Sequence, residues 1–176
     1  MESIVHMLDM TPINWYAIYT KPRHEFVVHG ELQKKGIESF LPSYKRLQQW
    51  KDRKKLVEFP LFPGYLFVHM SHESASFLNV LKTRSVVTFI SAEPGNPSTV
   101  SNEEIQSLKL LLDSGEELDV HPHLKEGELI RIRSGPLRGA EGVLVMKENQ
   151  YQFMVNVHLL GRSVGVKIYA DQLEAA

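Results

Sequence analysis

The sequence contains no cysteine. That excludes disulfide scaffolds, thiolate metal sites and cysteine nucleophiles. No apolar run approaches the ~20 residues that a membrane-spanning helix needs. No basic residue precedes Lys21, and the stretch before it carries Glu2 and Asp9. A secretory signal is therefore not expected, and a cytoplasmic protein is. Also missing are a phosphate-binding glycine loop, a Ser/His/Asp pattern and a paired-carboxylate arrangement, so neither an enzyme nor a cofactor is expected. His121-Pro122-His123 is the one histidine grouping of note, and no third ligand stands at a convincing spacing, so no metal is expected.

What is present is a charge asymmetry beneath a formal net charge of -1. Residues 21–92 hold 12 Lys/Arg against 6 Asp/Glu, and residues 93–119 hold 1 against 7. The last section, 120–176, is close to neutral, with 7 against 6. A basic section inside a neutral chain is what phosphate attraction requires, because that attraction follows local potential. The plainer reading of the same charges is a solvated face.

With 176 residues and 43% apolar content, the chain suffices for a packed core in one mid-sized or two small domains. Residues 13–20 are aromatic and β-rich and predict a strand. Residues 24–35 predict a helix, with Phe26, Val27, Val28 and Leu32 sharing a face and Gly36 ending it. Residues 38–42 predict a short strand. The stretch 44–55 is polar and basic and reads as a hairpin tip or loose loop. Strands are predicted at 56–59 and 64–70, restricted by Pro60 and Pro63 to an edge or bulge. A helix follows over 71–82 with Ser71 or Ser74 as N-cap, then a strand over 86–90. Ser101-Asn102-Glu103-Glu104 matches a capping box, and Ile105, Leu108, Leu111 and Leu112 supply a helical apolar face.

Strands and helices thus alternate over residues 12–113, predicting an α+β domain with one sheet and flanking helices. The acidic residues 114–122 predict a linker. Residues 123–176 show β-rich runs at 129–133, 140–146, 152–157 and 164–169, the pattern of a small barrel or sandwich.

Two groups of motifs carry a family resemblance. Ile130-Arg131-Ile132-Arg133-Ser134-Gly135-Pro136-Leu137-Arg138-Gly139-Ala140-Glu141-Gly142 resembles a KOW motif, with a Gly-Pro turn and two further glycines between strands. Upstream, Trp15-Tyr16, then Phe59-Pro60-Leu61-Phe62-Pro63-Gly64-Tyr65-Leu66-Phe67-Val68, then Arg84-Ser85-Val86-Val87-Thr88-Phe89-Ile90 look like the N-terminal domain of the NusG family. Their order and spacing resemble the family from about residue 15 to 173. The resemblance implies an antiparallel N-terminal sheet with flanking helices, followed by a small SH3-like β-barrel, the KOW domain. It implies a monomeric, non-enzymatic transcription elongation and antitermination factor. The basic central section and Leu160, which stands where general members carry an aromatic, point to an RfaH-like specialised paralogue. The alternatives are a housekeeping factor and an RNA- or ribosome-binding KOW protein.

The resemblance also implies sites. Trp15, Tyr16, Phe62, Pro63, Tyr65 and Phe67 match an apolar patch for the clamp of the large RNA polymerase subunits. Lys21, Arg23, Thr83 and Arg84 match residues facing the non-template DNA strand. Leu159, Leu160 and Arg162 match a loop that binds a small-subunit ribosomal protein or Rho. Alternation along a strand adds a constraint: Tyr65 and Phe67 share one face, Leu66 and Val68 the other, so one set is ordinary core. The KOW glycines and branched residues disfavour helix, so a β resting state is expected for 120–176.

Overall fold

An unbroken apolar run with branched and aromatic residues makes a strand covered on both faces, and the opening stretch does this: Trp15, Tyr16, Ala17 and Ile18 are all buried. The computed structural model describes residues 11–122, 127–147 and 150–168. In chain order the elements are β1 (Ile13–Thr20), α1 (Glu25–Lys34), β2 (Glu38–Phe40), β3 (Ser43–Gln49), β4 (Lys54–Pro60), β5 (Tyr65–Ser71), α2 (Ser74–Leu81), β6 (Val86–Phe89), β7 (Thr99–Val100) and α3 (Asn102–Asp113). There follow β8 (Asp119–Pro122), β9 (Glu128–Arg131), β10 (Glu141–Lys147), β11 (Gln150–Val157), a 3-10 turn (His158–Leu160) and β12 (Arg162–Ile168).

The first sheet is antiparallel, in the order β2-β5-β1-β6, with β7 also pairing β1. Its register sets Tyr16 opposite Val68, Ala17 opposite Phe67 and Ile18 opposite Leu66. The pleat then sorts these residues onto two faces. Tyr16, Ile18, Leu66, Val68 and Met70 pack with Val28 and Leu32 of α1 and Val80 of α2. Trp15, Ala17 and Phe67 pack on the other side with Leu61, Phe62, Val100 and the Ile105, Leu108 and Leu111 side chains of α3.

Helix ends follow local chemistry unevenly. The Ser101 Oγ accepts from the Glu104 N–H at 3.1 Å, as the capping box predicts. Helix α1 closes with Gly36 N–H to Gln33 O and Ile37 N–H to Leu32 O, the paired bonds that end a helix at glycine. Its apolar face is narrower than expected: Val28 and Leu32 are buried, whereas Phe26 and Val27 are exposed. Helix α2 begins later than expected, because Ser71 still pairs with Ile13 in the sheet, and Glu73 rather than a serine holds the N-cap without a side-chain bond.

A half-buried histidine on α1 carries a pH consequence. The His29 ring bonds the Ser39 Oγ at 2.8 Å, and burial lowers its pKa, with Glu58 nearby opposing the shift. The unfolded chain therefore binds this proton more readily. The stability His29 contributes is full above its unfolded value of about 6.5, falls as pH drops through it, and levels off below the folded value. Thermal melts from about pH 7.5 to pH 5 are expected to show this decline, and a His29→Gln variant is expected to show a flatter one. An equal slope in both proteins would refute it.

The second sheet is antiparallel in the order β8-β12-β11-β10-β9. Four of its strands lie where the β-rich runs predicted them. The fifth, β8, comes from the end of the stretch read as a linker: Val120 pairs with Val164 and Asp119 with Gly165. A polar, acidic approach concealed a strand of only four residues. Among the described residues β8 and β9 do not pair, so the sheet is open where the resemblance implied a closed barrel. Among the described residues from 119 to 168 the 3-10 turn is the only helical element. The C-terminal part of the expected 123–176 unit, beyond Ile168, and His123 of the histidine grouping lie outside the described residues.

The KOW glycines split into two roles. Gly135 and Gly139 have φ of +73° and +90° and shape the turn. Gly142 admits close approach: a Cβ there would lie 2.3 Å from the Met154 carbonyl oxygen and 2.8 Å from the Phe153 ring.

The two sheets share one apolar cluster. Phe153, Val155, Val157, Val164, Val166 and Ile168 of the second join Trp15, Phe62 and Phe67 of the first, along with the α3 residues. Helix α3 is the bridge. Its Ser107 Oγ, almost fully buried, accepts from the Glu141 N–H at 2.9 Å, and its Glu104 carboxylate contacts the His158 ring. On its other side the Lys109 Nζ stands 5.0 Å over the Trp15 ring and 5.3 Å over the Phe40 ring.

Candidate functional site

The aromatic patch is built by three chain segments meeting beneath α3. β1 supplies Trp15, β5 supplies Phe67, and the turn after β4 supplies Phe62. Phe62 meets Phe67 edge-on with ring centroids 6.5 Å apart. Phe40 of β2 lies 6.1 Å from Phe67 and 6.4 Å from Trp15, and His69 stacks on Trp15 at 4.6 Å. Such a cluster of rings offers large apolar area at little rotamer cost, the chemistry of a protein-binding hot spot. Here it is covered: Trp15, Phe62 and Phe67 are all buried in the cluster shared by α3 and the second sheet. Phe40 belongs to this group although it was not expected there. The signal available was an aromatic in the short strand after α1, and its partners are set only by the β2–β5 pairing.

Not all of the expected patch residues share this face. Tyr16 points to the opposite side of the sheet. Its hydroxyl bonds His72 Nδ1 at 2.8 Å, its ring meets Phe77 and Phe89, and burial pushes its pKa up. Adjacent residues on a strand cannot both face α3, so Tyr16 is core beneath α1 and α2. Tyr65 is half-buried against Tyr19, with centroids 5.3 Å apart. Pro63 is exposed and lines a separate cleft of about 430 Å³ with Tyr19, Pro22, Arg23, Glu25, Phe26, Pro60 and Gly64. The floor of that cleft is fixed by the buried Glu25 carboxylate, which accepts from the Gly64 N–H at 2.7 Å.

Three of the four expected basic-site residues meet solvent together. The Lys21 N–H donates to the Ser85 carbonyl at 2.9 Å, which joins the end of β1 to the turn carrying Arg84. Arg23 sits two residues on, in a turn with φ of +64°. Lys21, Arg23 and Arg84 are exposed. Close by on α1, Lys34, with smaller effects from Lys35 and Arg84, holds the Glu31 carboxyl below its usual range. The surface is thus a positive ridge with one acid in it. Thr83 does not belong to it. It is buried, its Oγ1 donates to the Asn79 carbonyl and accepts from Lys35 Nζ at 2.9 Å, and it serves to end α2.

In the second sheet Leu159 and Leu160 occupy the 3-10 turn and pack half-buried against the shared cluster. Arg162 begins β12 and is exposed. The leucines and the arginine therefore face different surroundings in this arrangement. Among the described residues no group of three or more histidines, aspartates or glutamates is placed to hold a metal, and no helix is long and apolar enough to cross a membrane.

Comparison with known proteins agrees with this fold. Residues 13–109 match the family model described as NusG, transcription termination factor nusG. The transcription termination/antitermination proteins NusG of Staphylococcus aureus strains Mu50 and N315 are each 29% identical over 174 residues, covering 91% of this chain and 94% of theirs. Among solved structures, one titled "Domain interaction in Thermotoga maritima NusG" aligns over 92% of this chain and 96% of its own, with a TM-score of 0.51 and 22% identity. The family model spans the whole first sheet and most of α3, the elements that build the aromatic patch, and on that match the chain belongs to the NusG family of transcription termination factors.

Proposed function

We propose that this protein binds the clamp of the large RNA polymerase subunits through the aromatic patch of Trp15, Phe62 and Phe67, and suppresses pausing or termination at selected operons. Members of its family are transcription factors, not enzymes. One observation chiefly supports this: a ring cluster on the face opposite α1 and α2, closed by α3 and the second sheet rather than by its own domain's strands. Lys21, Arg23 and Arg84 then serve as the contact to the non-template DNA strand, where guanidinium groups suit phosphate and base edges. Leu159, Leu160 and Arg162 serve as the surface for a small-subunit ribosomal protein or Rho.

In this arrangement the patch is occupied from within, so binding requires the second sheet to leave. The release frees Leu159 and Leu160 from the shared cluster at the same moment. Patch and loop are therefore coupled: a partner that holds the loop stabilises the state that exposes the patch. The domain units that follow are 12–113 and a KOW unit whose strands begin at Asp119. Binding changes no covalent bond. Its effect on elongation equals its preference for the forward-moving polymerase state.

Single-round elongation with the cognate polymerase tests this function, run with and without the protein on templates with and without candidate leader sequences. Reduced pausing confined to particular leaders is expected. Reduced pausing on every template indicates a housekeeping factor, and no effect on any template refutes polymerase binding.

A further inference from the structure

The β3–β4 hairpin stands apart from both sheets: its strands pair only with each other, from Ser43 opposite Pro60 to Gln49 opposite Lys54. It carries Lys45, Arg46, Lys51, Arg53, Lys54 and Lys55, all exposed, against Asp52 and Glu58. None of the six cations forms an ion pair among the described residues. Glu58 is engaged by the Ser43 hydroxyl at 2.5 Å. Between these charges lie large apolar groups open to solvent: Leu47 at 64%, Leu56 at 56% and Trp50 at 52%. The tip is closed by the Trp50 N–H donating to the Arg53 carbonyl at 2.8 Å, so the indole is held at the apex of a tight turn among four cations. Folding gains nothing from leaving an indole and two leucines in water.

We propose that the hairpin is a second nucleic-acid site, distinct from the Lys21/Arg23/Arg84 ridge, that grips unpaired DNA by stacking a base on Trp50 while Lys51, Arg53, Lys54 and Lys55 hold the adjoining phosphates. Cations alternating with exposed rings are the chemistry of single-strand binding. An intact duplex hides its base faces, so it gives the indole nothing to stack on. The Leu47/Leu56 pair adds an apolar surface suited to a thymine methyl, which RNA lacks. The choice of DNA over RNA also rests on the proposed function, which sets the protein beside separated DNA strands.

The two tryptophans make the test direct, because Trp15 is buried and Trp50 is not. Labelled oligothymidine is titrated by anisotropy, without polymerase, into wild type, Trp50→Phe and Trp50→Ala, while wild-type tryptophan emission is followed. Quenching of emission is expected, with about tenfold weaker binding in Trp50→Ala and much of that recovered in Trp50→Phe. Lys54→Gln with Lys55→Gln is expected to flatten the dependence of log affinity on log salt by about 0.7 for each phosphate no longer neutralised. Equal affinity in wild type and Trp50→Ala, preference for blunt duplex, or tighter binding of oligouridine each overturns the proposal. Because polymerase is absent, such a failure leaves the elongation function standing, and loss of polymerase binding leaves this site standing.

Discussion

Ser107→Lys is expected to open the molecule. Position 107 is about 1% exposed and lies on the side of α3 that meets β10, where the hydroxyl accepts from the Glu141 N–H. A lysine there removes that acceptor and buries an ammonium among apolar side chains. Both costs vanish if the second sheet swings away, because the charge then reaches water. The first sheet keeps its α1/α2 core, which takes no part in this junction. In a Trp50→Phe background the remaining indole is Trp15, so its emission reports the patch. A shift to longer wavelength is expected, together with retained far-ultraviolet dichroism. Under the proposed function the variant also binds polymerase more tightly, by about the inverse of the open fraction in wild type. A tenfold gain corresponds to about 1.4 kcal/mol of released docking. Unchanged Trp15 emission would show that α3 does not hold the sheets together. A shifted emission with unchanged polymerase affinity would instead remove the aromatic patch from the polymerase-binding role.

Gly142→Val is expected to dismantle the second sheet alone. The added Cβ falls 2.3 Å from the carbonyl oxygen of Met154, which is backbone of the neighbouring strand and cannot rotate away. Relief requires β10 and β11 to separate where Val143 pairs with Met154. The Phe153 ring, fully buried, is displaced by the same group. A loss above about 4 kcal/mol is expected, enough to unfold a sheet of this size in isolation. Amide exchange should collapse across 141–168 while β1 and β5 retain protection. Uniform loss of protection in both sheets would show that the shared cluster folds as a single unit, and unchanged protection would contradict the close approach itself.

Much of this architecture was legible in the chain. The β1 run, the capping box at Ser101, the helix end at Gly36 and the β-rich runs from 129 onward each follow from short-range rules of pleat, cap and turn, which depend on a few neighbours. What escaped depended on distant partners. Helix α2 starts late because Ser71 is recruited as a strand partner of Ile13. β8 forms because β12 offers an edge, although four residues in an acidic stretch show no strand signature of their own. Thr83 reads as a surface neighbour of Arg84 until Lys35, 48 residues away, reaches its hydroxyl. Tyr16 and Trp15 look alike in a sequence, and alternation says only that they part company, not which of them faces α3.

The sequence by itself determined most of the elements, the family and the chemistry of the surface: periodicity, glycine positions and charge placement are local properties of covalent order. Tertiary structure alone decided which aromatic residues form the patch, that α3 and the second sheet cover it, and that the basic hairpin stands clear with Trp50 at its apex. The physical reason is that burial belongs to pairs of surfaces. A side chain's hydrophobicity is written in the chain, but what removes it from water is fixed only when segments far apart in sequence meet.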